Sequence, residues 1–311
     1  MPREPDQSLL HKPLLRYWLA TRPGFLTASL VPALLGVAAF TYQGGRVDGL
    51  LLLLTLLGIM LVHAGVNVLN DYYDELNGTD RCNETRIFPF TGGSRFIQNG
   101  VLSTGATLHF GGLLLLAAIV LGLGLTWASG GGLMLIGVTG LLLGWGYSAP
   151  PLRLNSRGLG EPSIALGFGI LIPLGAWYVQ AGTLSLYPIL VGLPLSLLLL
   201  NILLINQFPD READAACGKH HWVVRYGEEP SARLYLFNVL ASMALLIGLV
   251  LAGTLPEAAL LALLPQGQAL RAALLLLAHA RQPEQLEPAI KMTIGSMLLH
   301  GVLLSLILWL V

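Results

Sequence analysis

Charge is scarce in this chain. Lys, Arg, Asp and Glu together make up 11% of its 311 residues, against about 25% in an ordinary soluble domain. That excludes a water-solvated globule. The 17 basic residues match the 17 acidic ones, so there is no net positive field for nucleic acid, which is not expected as a partner. Cysteine is nearly absent. Cys82 and Cys217 lie in polar stretches, and no disulfide framework is expected. The opening stretch "MPREPDQSLLHKPLLRYWLATRPG" lacks an apolar core followed by a small-residue cleavage site, so no cleaved signal peptide is expected.

What is abundant is apolar sequence, 54% of the chain. A membrane-spanning helix needs about 20 mostly apolar residues. Nine segments qualify: 24–41, 50–70, 106–127, 130–147, 162–180, 186–206, 233–253, 256–279 and 289–310. The predicted fold is an all-α membrane bundle around a central cavity, one domain over 1–311 with two related halves. The connections alternate in character. Those at 42–49, 127–130, 181–185 and 254–256 are short and almost uncharged. Those at 71–105, 148–161, 207–232 and 280–288 are longer and polar. With nine spans, every Lys and Arg except Arg46 falls on the side of the N-terminus. The positive-inside rule then places the N-terminus and the polar loops in the cytoplasm.

Acidic residues concentrate where the second span ends, in "NVLNDYYDELNGTD". His63, Asn67, Asn70 and Asp74 are spaced 4, 3 and 4, one face of a helix running into the loop. "NQFPDREADAACGK" repeats the arrangement, with Asn206, Asp210 and Asp214 spaced 4 and 4. Both share Asn-x-x-x-Asp, and the first motif (70–80) is expected to converge with the second (206–214). Ionisable groups at membrane depth mark function by default. Hard oxygen ligands with waters and phosphates suit Mg²⁺. The candidate metal ligands are Asn70, Asp74, Asp80, Asn206, Asp210 and Asp214. Arg22, Arg95 and Lys219 lie beside the motifs and suit diphosphate oxygens, with Asn70 and Asn206 assisting. Arg153, Arg157 and Arg225 read as topology signals only.

At these residues the chain resembles the UbiA superfamily of intramembrane prenyltransferases. "NDYYD" followed by "GTD", and "NQFPDREADAACGK", are similar to that family's two Asp-rich motifs. "RPGFLTASLVPALLG", "GWGYSAPPLRLNSRGLGE" and "LEPAIKMTIG" extend the likeness along the chain. Gly78 stands where the wider family often has an acid, and the acid comes instead at Asp80. That spacing resembles the branch that prenylates 1,4-dihydroxy-2-naphthoate in menaquinone synthesis. "GGSR" and "RGLGE" resemble that branch too. 4-Hydroxybenzoate, homogentisate, haem and chlorophyllide acceptors are the alternatives within the family.

The resemblance implies transfer of a polyprenyl group from an allylic diphosphate to an aromatic carbon, with Mg²⁺ as cofactor. It implies a bilayer setting, the inner membrane of a prokaryote, with the active-site loops cytoplasmic. Asp74 and Asp210 would be catalytic through the metal. Tyr147 is a candidate for facing the allylic cation, as are Tyr72 and Trp145, although Trp145 also suits an interfacial aromatic belt. His63 shares the motif face. His109 and His300 read as packed or bonded. The small residues of "GLGLTWASGGG" and "ALGFGILIPLG" permit a tail groove, but close helix packing is the expectation at most of these glycines. A transporter or divalent-ion channel is the rival class. It would place its acids at mid-helix. An alcohol phosphotransferase is disfavoured because no Asp-Gly-x-x-Ala-Arg segment occurs.

Overall fold

The structure, a computed structural model, describes residues 3–311, and among these it contains helices and turns but no strand. Among the described residues, eight helices are long and apolar enough to cross a membrane. They are α1 (Pro23–Tyr42), α2 (Gly49–Asn77), α3 (Thr104–Ser129), α5 (Gly160–Ala181), α6 (Tyr187–Ala216), α7 (Glu228–Leu251), α8 (Glu257–His279) and α9 (Glu287–Leu310). Between α3 and α5 stands a shorter apolar helix, α4 (Gly132–Ser148). The nine predicted segments all appear, and the chain is an integral membrane protein. A short helix, Pro13–Ala20, precedes α1. Arg271, counted by sequence with the basic residues on the N-terminal side, lies within α8 and is exposed. Its long stem allows the charge to reach toward the interface.

Consecutive helices pack in series, α2 on α3, α6 on α7, α7 on α8 and α8 on α9, and α9 returns to α1. α1 also lies against α5 and α6. At the α1–α5 crossing, a Cβ on Gly36 would collide with the Pro173 carbonyl, so glycine sets how closely the two backbones approach. Packing is uneven. The apolar stretch of α6 is 72% buried, while those of α2 and α3 are each 17% buried. Leu195, Leu204, Leu246 and Met297 fill the dense half. Lipid supplies no hydrophobic drive between helices, so shape and buried polar bonds hold them, each bond adding about 0.6 kcal/mol. Asn201 Nδ2 donates to the Tyr235 carbonyl at 3.0 Å, and Asn238 Nδ2 to Asn201 Oδ1 at 2.9 Å. Ser242 Oγ donates to the Pro194 carbonyl at 2.8 Å. These bonds lock α6 to α7.

The other half is looser. α5 carries one π turn, Gly167–Leu171, just before Pro173. Proline has no amide hydrogen to continue the ladder, which is the local cause of the irregularity. Gly167, Phe168 and Leu171 of this turn face a cavity of about 530 Å³ bounded by α2, α3, α4, α5 and α6.

Candidate active site

The polar end of that cavity is assembled by two long helices that carry their motifs past the apolar stretch. α2 remains helical through Asn70, Asp71 and Asp74 and stops at Gly78, whose φ of 84° is in the left-handed region. Such a residue favours glycine. The chain then turns back through Thr79–Cys82, with Asn77 Oδ1 accepting from Thr79 N at 3.0 Å. The reversal returns Asp80 to the cavity wall. Gly78 in place of an acid, with the acid at Asp80, therefore has a local structural cause. α6 stays helical through Asn206, Asp210 and Asp214, with Pro209 inside it.

The loop between α2 and α3 ties the motifs together. Gly92 N donates to Asp210 Oδ2 at 3.2 Å, and Asn83 Nδ2 donates to Asp210 Oδ1 at 2.6 Å. Asp71 accepts from the Ser94 amide at 3.2 Å, from the Ser94 hydroxyl, and from Arg22. Gly93 has φ 75°, and a Cβ there would collide with the Asp80 carboxylate.

Lys219 joins the two acidic faces. Its Nζ is 3.0 Å from Asp74 Oδ1 and 3.5 Å from Asp214 Oδ1. His221 Nδ1 accepts from Val224 N at 3.4 Å, leaving Nε2 to face Asp214 Oδ2 at 3.2 Å. Asn70 Nδ2 donates to Asp74 Oδ2 at 3.1 Å and to Ser148 Oγ at 2.8 Å. Burial alone would lower the affinity of Lys219 for its proton, but Asp74, Asp214 and Asp80 outweigh it and raise its pKa. Asp80 is pushed well above the usual carboxylate range, first by burial and then by Asp74 and Asp71.

Among the described residues, no three His, Cys, Asp or Glu side chains are grouped closely enough to form a ready metal cage. The donor set nevertheless fits Mg²⁺, which takes few carboxylates and keeps waters and phosphate oxygens. All six predicted ligands line the cavity. Two of their oxygens, Asp80 Oδ2 and Asn206 Oδ1, are buried and have no hydrogen-bond partner. An orphaned buried carboxylate oxygen is costly unless a cation completes it.

Of the predicted cations, Arg22 and Lys219 reach the cavity, and both are held by carboxylates. Arg95 does not line it. Its guanidinium donates to the Asp80 backbone carbonyl, so it braces the loop and is not aimed at phosphate. Arg86 is likewise engaged, by Glu4 at 2.7 Å and by the Asn83 carbonyl at 2.7 Å. Tyr147 lines the cavity; Tyr72 does not, packing edge-on against Tyr73. Trp145 is exposed, as an interfacial residue would be. His63 bonds Ser29 Oγ at 2.8 Å at the cavity wall. His300 is buried and bonded to the Ala262 carbonyl at 2.9 Å, and His109 to the Gly105 carbonyl at 2.7 Å. Cys82 and Cys217 are free thiols.

Sequence reasoning missed Asp71, Asn83 and His221. Asp71 had a signal: it lies four residues after Asn67 and three before Asp74, the same helix face. Asn83 and His221 sit in irregular chain, where no period marks them. The glycines of the two small-residue stretches divide: a Cβ on Gly132 or Gly169 would collide with Tyr178 or Ser196, as close packing requires, while one on Gly122 or Gly167 would meet nothing within 4 Å. At Gly122, Gly137 and Gly140 a Cβ would meet nothing within 4 Å, and all three border the cavity. There the missing side chains leave space instead of allowing close packing. Exposed Leu123, Met134 and Val138 share that border, so the cavity opens sideways between α3 and α4.

The fold has solved counterparts. A UbiA homolog from Archaeoglobus fulgidus, solved bound to DMAPP and Mg²⁺, superposes with a TM-score of 0.62 at 16% identity, covering 93% of this chain and 99% of that one. The 1,4-dihydroxy-2-naphthoate octaprenyltransferase of Bacillus subtilis is 29% identical over 241 residues, 76% of this chain and 74% of that one. The enzyme of the same name from Escherichia coli is 30% identical over 240 residues, 74% of each chain. The profile of the UbiA prenyltransferase family matches residues 29–297. With its two Asp-rich helix ends facing one apolar cavity, this chain belongs to the UbiA prenyltransferase family.

Proposed function

We propose that this UbiA-type prenyltransferase moves a polyprenyl group from its allylic diphosphate to 1,4-dihydroxy-2-naphthoate, with loss of carbon dioxide, as a step of menaquinone synthesis. The observation that carries the reading is the cavity itself. Its polar end gathers both acidic motifs around Lys219, and its apolar end opens sideways between α3 and α4. A diphosphate head and a long isoprenoid tail match those two ends. The names of the Bacillus and Escherichia relatives support the naphthoate acceptor. The Archaeoglobus structure, bound to DMAPP and Mg²⁺, supports the donor and the metal.

Asp74, Asp80, Asp210 and Asp214 would hold Mg²⁺, with Asn70 and Asn206 completing or orienting the set. When bound, Mg²⁺ supplies positive charge to the departing diphosphate. Lys219 and Arg22 hold outer phosphate oxygens, exchanging part of their carboxylate contacts for the ligand. Tyr147 and Phe168 present aromatic faces where the allylic carbon loses its bond to oxygen, and such faces stabilise a cation. The walls exclude water, which would otherwise capture that cation. The ring carbon bearing the carboxylate attacks and forms the new C–C bond. The C–COO⁻ bond then breaks, and its electron pair restores the aromatic ring. Carbon dioxide and diphosphate leave, and no proton has to be removed. A site whose acids are committed to metal suits such a step.

The acids lie at helix ends beside a glycine-rich loop, which weighs against a transporter. From the Lys and Arg distribution we place the N-terminus and the polar loops in the cytoplasm, and the bacterial relatives support the inner membrane of a prokaryote. The test incubates purified protein in lipid with Mg²⁺, a polyprenyl diphosphate and a panel of aromatic acids, the naphthoate carrying labelled carboxyl carbon. Prenylated naphthoate and labelled gas should form in step, and both should stop with a chelator. Turnover of 4-hydroxybenzoate with none of the naphthoate would overturn the acceptor assignment.

A further inference from the structure

Beneath the acidic clusters lies a polar pair that the metal chemistry does not use. Glu161, at the start of α5, is fully buried. Its Oε1 accepts from the Trp222 backbone amide at 2.7 Å and from Gln207 Nε2 at 2.9 Å. Gln207 follows the motif residue Asn206, lines the cavity, and is 7% exposed. Its Oε1 is buried without a partner.

The chemistry fixes which way this amide points. A backbone N–H can only donate, so Glu161 Oε1 accepts from Trp222, and in the carboxylate form it has no proton to give back. The amide that shares this oxygen can meet it only with its NH₂ group. The opposite end of the amide is therefore locked as an oxygen. A buried carbonyl oxygen left unpaired costs about 1–3 kcal/mol, a cost that a ligand donor would remove. Diphosphate has no donor to offer when ionised, and an isoprenoid tail has none at all. A phenolic hydroxyl does.

We propose that Gln207 Oε1 accepts a hydrogen bond from a ring hydroxyl of the aromatic acceptor, and that Glu161 is the positioning residue that holds the amide in this sense. The assignment rests on the reading of the site as an aromatic prenyltransferase and adds a group that selects hydroxylated rings. Neither residue is part of the donor site. Loss of either should therefore act on the acceptor and spare the donor.

The test uses full-length protein in lipid nanodiscs, with 1,4-dihydroxy-2-naphthoate and its two monomethyl ethers as probes. Wild-type protein should take one ether about tenfold less efficiently than the diol, the size expected for one such bond. Gln207→Leu should raise the acceptor KM about tenfold, leave the donor KM unchanged, and abolish discrimination between that ether and the diol. Glu161→Leu, which removes the acceptor and lets the amide rotate, should weaken discrimination in the same direction. Equal use of both ethers and the diol by wild-type protein would overturn the proposal without needing any variant to fold. So would an unchanged acceptor KM in Gln207→Leu. If wild-type protein ignores the naphthoate but prenylates another phenol, the functional reading fails on the acceptor. The same comparison with that phenol and its methyl ether then decides on Gln207.

Discussion

Lys219 Nζ stands 3.0 Å from Asp74 Oδ1, and through that contact a residue just beyond α6 holds the end of α2. The same ammonium lies 3.5 Å from Asp214, so one positive charge spans both acidic motifs. Lys219→Met should reduce turnover about 100-fold, by loss of a donor to the leaving group. It should also melt earlier than wild type in metal-free buffer, because two buried carboxylates lose their cation. Added Mg²⁺ should recover more of the melting temperature in the variant than it adds to wild type. Melting curves at several Mg²⁺ concentrations read this directly, and an equal Mg²⁺ effect on both proteins would contradict the placement.

Arg22 and Asp71 form a second link, between the start of α1 and the end of α2. Asp71 also anchors Ser94, so it acts on the loop as well as on the arginine. Asp71→Asn should lower kcat/KM for the donor by about tenfold or more, since an uncompensated buried partner remains. The double variant with Arg22→Gln should be little worse than Asp71→Asn alone, because contacting residues are not additive. Steady-state kinetics on the three variants checks it; strictly multiplicative losses would show that the two side chains work independently.

Two glycine substitutions should part company. Gly93→Ala places a methyl group against the Asp80 carboxylate, in a backbone conformation that favours glycine. It should abolish most activity while helical circular dichroism persists. Gly122→Ala meets open space and should stay within about twofold of wild type with a short isoprenoid donor. Loss of activity in Gly122→Ala alone would reverse our picture of the cavity border.

Sidedness is testable with single cysteines in a protein whose Cys82 and Cys217 have been changed to serine. Arg46 and Arg157 are both exposed, so either position can be labelled. Arg46→Cys and Arg157→Cys should react with an impermeant maleimide from opposite faces of sealed vesicles. Labelling of both from one face would remove the basis for the proposed topology.

Much of this protein could be read from sequence because the bilayer simplifies the code. Length and polarity mark a span without any knowledge of its neighbours, so even α4 was found. Helical spacing located Asn70, Asp74, Asp210 and Asp214, because α2 and α6 continue unbroken through their motifs. Arg95 was misread for a physical reason. Its closeness to the motif is real, but the loop turns the guanidinium toward the Asp80 carbonyl. Proximity in sequence does not give side-chain direction in irregular chain. The small-residue stretches divide because a missing side chain can leave either contact, as at Gly132 and Gly169, or space, as at Gly122, and only the position of the facing helix decides which. Gln207 carried no signal at all, since its significance lies in Glu161, 46 residues away in the chain.

The sideways opening between α3 and α4 has a kinetic corollary. A tail admitted from the lipid never crosses bulk water, so the donor's effective concentration is its mole fraction in the membrane. Diluting the donor with inert lipid at constant total amount should slow the reaction, while adding buffer should not. For this protein the bilayer is the reaction volume.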